Sequence, residues 1–147
     1  MQLGGLVSRR GAVLIAEDHA GNRLLVRQLL ELEGFTQVDA VSTGLEAVAA
    51  WERGTYDLLL LDWQMPGLDG LEALRRIRSL ESEFARLRTA IVMVTGRITE
   101  PERAACFAAG ADECVAKPYR PEELLDAMDR ALRSLERGGG PAADLDI

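Results

Sequence analysis

The chain of 147 residues is 48% hydrophobic and carries a formal net charge of −7, with a pI near 4.8. That length builds one compact domain with a sizeable core and not two. The acidic balance leaves no basic surplus to neutralise phosphates, which excludes sequence-independent nucleic-acid binding and confines any partner surface to a local patch.

The opening MQLGGLVSRRG lacks the apolar run of a signal peptide, and no later stretch is long enough to span a bilayer. A cytoplasmic chain without membrane insertion is expected, with residues 1–10, including Arg9 and Arg10, as a solvated arm. The first apolar run, AVLIAE (12–17), reads as a buried strand and delivers Glu17 and Asp18 at its end. His19, the sole histidine, stands at the start of the next helix, where a capping or loop role outweighs a phosphodonor or ligand role. That helix, NRLLVRQLLELEG, ends on Gly34, a suitable C-cap.

The second strand, TQVDAV (36–41), is mixed in character and is placed at a sheet edge. Thr43 with Glu46 then opens a helix in the capping-box spacing, as do Asp69 with Glu72 and Thr99 with Glu102 further on. Trp51 lies on the apolar face of the second helix and reads as core. The third strand, DLLLLD (57–62), is apolar at every interior position and ends on Asp62. After the third helix, the segment 79–88 fits either a continued helix or a long loop. The fourth strand, AIVMVT (90–95), ends on Thr95. The fifth, ECVAK (113–117), is short, takes the other edge and ends on Lys117 before Pro118.

Pro121, Glu122 and Glu123 start the last helix, whose apolar stripe runs through Leu124, Met128 and Leu132. The ending RGGGPAADLDI has no packing pattern, so residues 137–147 read as a flexible tail or linker stub. Cys106 and Cys114 lack Cys-x-x-Cys spacing, which indicates neither a disulfide framework nor a zinc site. Both are expected reduced and at least partly buried, in the fourth helix and the edge strand.

Strands alternating with helices imply an α/β fold with a five-stranded parallel sheet, and the edge places of the second and fifth strands fit a doubly wound, flavodoxin-like order 2-1-3-4-5 with helices on both faces. In such a sheet all strands end on one edge, and ligands bind outside it. Glu17, Asp18, Asp62, Thr95 and Lys117 should therefore converge. Three acids brought together repel unless something positive enters, and a hard divalent cation with oxygen ligands fits that need. An aspartate beside such a cation can accept a phosphoryl group, with Thr95 and Lys117 placed for its equatorial oxygens.

The segments IAEDHAGNRLL, DLLLLDWQMPGLDG, IVMVTG and GADECVAKPYRPEEL closely resemble the receiver domain of two-component response regulators, in matching order and over roughly residues 11–136. The resemblance implies that Asp62 accepts a phosphoryl group from the phosphohistidine of a sensor histidine kinase or histidine phosphotransfer protein. It also implies Mg²⁺ or Mn²⁺ held by Asp18, Asp62 and the backbone carbonyl of Gln64, with Glu17 acting through water. Thr95 matches the hydroxyl that moves toward the phosphoryl group, Lys117 the lysine that pairs with it, and Pro118 a proline often preceded by a cis peptide.

This sequence departs from the family pattern in several places. Cys114 stands where an aromatic residue usually reports phosphorylation by rotating, and a thiol is too small to reproduce that switch. Gly96 replaces a more usual alanine, which frees the backbone after Thr95. Arg97 and Gln64 flank the site and are expected to govern water access, while Trp63 is bulkier than the usual aliphatic residue.

Two other functions compete with the phosphoacceptor reading: a receiver-like interaction module independent of phosphorylation, and a hydrolase with an aspartyl-phosphate intermediate. The hydrolase is disfavoured because Gln64 stands where such enzymes place a second acid, so a non-enzymatic signalling domain is expected. A nucleotide-binding flavodoxin-like protein is disfavoured further, since EDHAGN is no phosphate-cradling loop.

Overall fold

The continuous apolar runs fold as the interior of a parallel sheet. β1 (Ala12–Ala16), β3 (Leu58–Asp62) and β4 (Ala90–Thr95) are its inner strands, and β2 (Gln37–Val41) and β5 (Glu113–Ala116) are its edges. The order β2-β1-β3-β4-β5, with every pairing parallel, is the one expected from the sequence. The computed structural model describes residues 11–96 and 98–136. The proposed arm, the proposed tail and Arg97 lie outside the described residues.

β3 is buried along its whole length because its alternate side chains serve two cores. Leu58 and Leu60 join Val13, Ile15 and Val92 beneath α1 (Ala20–Leu32) and α5 (Pro121–Glu136), which contribute Leu30, Leu124 and Met128. Leu59 and Leu61 join Leu14, Ile91 and Met93 on the opposite face. That face is covered by α2 (Gly44–Arg53), α3 (Gly70–Glu83) and α4 (Glu100–Ala109). Each such leucine withdrawn from water contributes about 1.5–3 kcal/mol before chain entropy is counted, so the two-sided strand is a rigid mount for whatever its end carries. No helix among the described residues is long and apolar enough to cross a membrane.

The helix starts follow the sequence with one correction. His19 is the N-cap of α1, its Nδ1 accepting from the Asn22 N–H at 3.2 Å. Thr43, Asp69 and Thr99 cap α2, α3 and α4 through the N–H three residues on. Only Thr99 and Glu102 close the reciprocal box. Glu46 instead reaches one residue further back, to the Ser42 N–H and hydroxyl, and Glu72 turns to Arg75 and Arg76. Gly34 follows the C-cap Glu33 with φ 100°, the left-handed conformation that glycine adopts freely at a helix end.

The ambiguous segment 79–88 resolves into both readings. α3 continues to Glu83, and the chain then turns through Ala85 at φ 52°. Arg86 spends its guanidinium on the end of α2, donating to the carbonyls of Trp51 and Gly54 and stacking 3.9 Å above the Trp51 ring. Trp51 is core, as expected, and its indole N–H donates to the Thr89 hydroxyl at 2.9 Å.

One close approach ties the fold to the end of β3. Gly70 donates its N–H to the Trp63 carbonyl at 2.7 Å, and a Cβ on Gly70 would stand 2.1 Å from the Asp62 carbonyl oxygen. The first turn of α3 is thus laid directly on the strand end. Gly70→Ala should lower stability by about 1–3 kcal/mol or more, because backbone meets backbone and neither can yield cheaply. Urea denaturation should show the loss as a lower midpoint, and an unchanged midpoint would contradict this packing.

Candidate functional site

Register decides which side chains meet. β1 and β3 are neighbours, so the residues after Ala16 stand beside the end of β3, at the point where the strand order reverses. Glu17, Asp18 and Asp62 each offer a carboxylate oxygen there, and these oxygens lie within 4.8 Å of one another. Glu17 and Asp62 are buried, at 6% and 5% exposure, whereas Asp18 is open to solvent.

Lys117 reaches the cluster from the far edge of the sheet. Its Nζ donates to Glu17 Oε1 and to Asp62 Oδ2, both at 3.0 Å. The backbone aims it: the Lys117 N–H donates to the Thr95 carbonyl at 2.8 Å, continuing the β4–β5 ladder, and the Lys117–Pro118 bond is cis. Burial pulls the lysine pKa down, but the bonds and charges of Asp62 and Glu17 outweigh it, and the net shift is upward. A raised folded value means that the ion pairs contribute fully below the ordinary lysine range. Their contribution fades only as pH climbs through the raised value.

The remaining contacts fix the two buried acids. Glu17 Oε2 accepts from the His19 N–H at 3.0 Å, and Arg23 Nη1 donates to the Glu17 carbonyl at 2.9 Å. Asp62 Oδ1 accepts from the Gln64 N–H at 3.3 Å, so both Asp62 oxygens are engaged. Thr95 closes β4 beside them, 2% exposed. The Gln64 side chain is exposed and its Oε1 lies above Gly96, 3.9 Å from where a Cβ would stand. An alanine at 96 would therefore meet only ordinary contact. Trp63 packs its partly buried ring against the core under α2, α3 and α4, and Cys114 is buried in β5 on the same face.

Sequence reasoning brought Glu17, Asp18, Asp62, Thr95 and Lys117 to one edge, and the structure places them there. It missed three contributors. His19 and Arg23 hold the acidic loop through main-chain atoms, which no spacing reveals. Tyr119 lines a small cavity with Glu17 and Asp62, and burial pushes its phenol up, partly opposed by Lys117. Its position two residues after Lys117 was the available signal.

The three carboxylates suit a hard divalent cation: two are fixed by protein hydrogen bonds, and the third is open to water that would complete an oxygen shell. The comparisons with known proteins agree with the geometry. The model of the response regulator receiver domain matches residues 13–129. The chain belongs to this family. It is 37% identical over 121 residues to the transcriptional regulatory protein ResD of Bacillus subtilis, covering 82% of this chain and 48% of ResD. It is 40% identical over 121 residues to the phosphate regulon regulatory protein PhoB of Rhizobium meliloti, covering 82% of this chain and 52% of PhoB. The chain thus spans about half the length of these curated relatives.

The receiver domain of the sensor histidine kinase PA1611 from Pseudomonas aeruginosa superposes with a TM-score of 0.74 at 32% identity, over 85% of this chain and 99% of that one. That receiver was solved with a magnesium ion coordinated in its active site cleft. The present chain is a receiver domain of the two-component type, with an acidic cluster of Glu17, Asp18 and Asp62 at the ends of β1 and β3.

Asp18 is the acid that adds repulsion without a lysine partner. Asp18→Asn should stabilise the chain in the presence of a chelator by about 0.2–1 kcal/mol, the range for exposed charge pairs. It should also lose most of the Tm rise that Mg²⁺ gives the parent. Thermal melts with and without Mg²⁺ check both signs, and an undiminished Mg²⁺ response would remove Asp18 from the cation site.

Proposed function

We propose that this receiver takes a phosphoryl group onto Asp62 from the phosphohistidine of a sensor histidine kinase or a histidine phosphotransfer protein, and that the modification changes its protein contacts. The observation that carries the reading is the Asp62 carboxylate at the tip of a fully buried strand, held from one side by Lys117 and from the other by the Gln64 N–H. In the transfer, an Asp62 oxygen forms the new bond to phosphorus as the nitrogen–phosphorus bond of the donor breaks. The donor imidazole keeps that electron pair and takes up a proton.

Each remaining group has one task. Lys117 pairs with the phosphoryl oxygens as they exchange places with its present carboxylate partners. Thr95, at the end of the adjacent strand, donates its hydroxyl to another oxygen. Asp18, Asp62 and the Gln64 carbonyl would hold Mg²⁺ or Mn²⁺, with Glu17 acting through water, and the ion would neutralise charge on the phosphoryl oxygens. Gln64, as a neutral amide, has no proton to give a leaving group. That supports a signalling domain that carries its phosphoryl group to hydrolysis over an enzyme with multiple turnover.

The donor protein has a surface beside the site. Leu25, Val26 and Leu29 of α1 face Pro118, Tyr119 and Pro121 across a groove of about 560 Å³ whose rim includes Glu17 and Lys117. Leu25 is 65% exposed there. An apolar helix seated in this groove would bring its histidine to the acidic cluster.

The deciding experiment is intact mass after incubation with Mg²⁺ and acetyl phosphate. The parent should gain a single phosphoryl adduct that Asp62→Asn lacks, and chelation should suppress it. An adduct that persists in Asp62→Asn would move the acceptor elsewhere. The absence of an adduct in the parent, with a phosphohistidine donor as well, would favour the phosphorylation-independent module that Cys114 allows.

A further inference from the structure

The two cysteines, eight positions apart in sequence, face each other across the seam between α4 and β5. Cys106 and Cys114 are both free and buried, and their sulfurs are 3.7 Å apart. This is van der Waals contact, and a sulfur–sulfur bond of about 2 Å requires the two sulfurs to approach by roughly 1.7 Å. Neither sulfur takes part in the acidic cluster.

The seam matters because of how α4 is attached. Among its residues only Cys106 is buried; the others are exposed or half-buried. The helix therefore meets the sheet through one fully covered side chain, and that side chain rests on Cys114. Every other covering helix brings at least two buried residues: α1 has Val26 and Leu30, and α3 has Ala73, Leu74 and Ile77 among others. A covalent link at this contact would fix the most weakly anchored helix of the fold.

The two thiols are also unequal. In the neutral pair Cys114 donates to Cys106, and ionisation reverses that bond, so that the Cys106 S–H holds the Cys114 thiolate. That hydrogen bond lowers the Cys114 pKa, burial opposes it, and Arg103 assists it. The same bond and burial push the Cys106 thiol up. Cys114 also retains 7% exposure where Cys106 has none, so a small oxidant meets Cys114 first.

We propose that Cys106 and Cys114 form a reversible disulfide on exposure to a hydroperoxide, and that this bond pins α4 to β5. The Cys114 thiolate attacks the peroxide oxygen, the O–O bond breaks, and Cys114 becomes a sulfenic acid while the displaced oxygen leaves as water or an alcohol. Cys106 sulfur then attacks the Cys114 sulfur; the S–S bond forms, the S–O bond breaks, and the Cys106 proton leaves with the departing hydroxide as water. Two thiols are oxidised by two electrons in all, and one hydroperoxide is reduced. Dithiol reductants reverse the step by exchange. The inference is independent of phosphorylation.

The test treats the native chain with hydrogen peroxide, without denaturant, then unfolds it and blocks free thiols with N-ethylmaleimide. The parent should lose the mass of two hydrogen atoms, take up no maleimide, and yield a peptide linking Cys106 to Cys114 that dithiothreitol separates. Two free thiols after treatment, a sulfinic acid on either cysteine in place of the link, or a cross-linked dimer would each overturn the proposal. The parent alone decides this, so it does not depend on a variant that folds. Cys106→Ser should trap the sulfenic acid on Cys114 for dimedone. Amide exchange tests the pinning: α4 should exchange on the order of tenfold more slowly in the oxidised chain. Equal exchange in both forms would refute it.

Discussion

Three carboxylates crowded at one sheet edge are the constraint around which this molecule is arranged. At an effective dielectric near 20, two like charges about 4 Å apart repel by about 4 kcal/mol, comparable with the net stability of a small domain. The fold does not separate them. Instead Lys117 spans from β5 to two of the three, and the third, Asp18, is left in water where screening is strong. Three negative charges against one positive leave a formal deficit of two, the charge that a divalent cation supplies. The resting site is thus only partly neutralised by its one lysine.

Holding such a cluster requires a mount that does not relax, and the rigidity comes from the apolar strands. If β3 could slip or bend, Asp62 would swing toward solvent and the repulsion would vanish. It cannot, because Leu58 and Leu60 are locked in one core and Leu59 and Leu61 in the other. The loop after the strand is equally confined: the Trp63 N–H is held by the Val94 carbonyl, and Gly70 lies against the Asp62 carbonyl. A buried strand is used to hold one acid because only buried packing can oppose electrostatic repulsion of this size.

What the sequence made legible was whatever depends on position along one strand or helix. Continuous apolar runs separated inner strands from edges, strand ends located Glu17, Asp62, Thr95 and Lys117, and capping residues marked four helix starts. What it hid depends on pairs far apart in the chain. The sequence resemblance implied that Glu17 acts through water, but it could not show Glu17 buried against Lys117 with Asp18 outside, because that follows from the rotamers of two adjacent acids. Nor could it show Arg78 joining Glu81, Asp112 and the Gly110 carbonyl beneath the opposite end of the sheet, contacts that span up to 34 residues. The meeting of Cys106 and Cys114 belongs to the same class. Each cysteine was rightly assigned to its element, yet their contact requires the register of α4 on β5.

That register also bears on how the site communicates with the surface. Thr95 and Lys117 are linked through the main chain, the Lys117 N–H bonding the Thr95 carbonyl, and Thr95 pairs with Ala116 in the ladder. Were Thr95 drawn toward a phosphoryl group at Asp62, as proposed, the pull would fall on the end of β4 and, through the ladder, on Ala116 and Lys117. In a receiver with an aromatic side chain at position 114, that movement would open room for a ring to turn. Here the residue is a buried thiol resting on the helix itself, so nothing large is available to rotate. The contact through which position 114 meets the surface is therefore α4 itself, which has Cys106 as its one fully buried side chain.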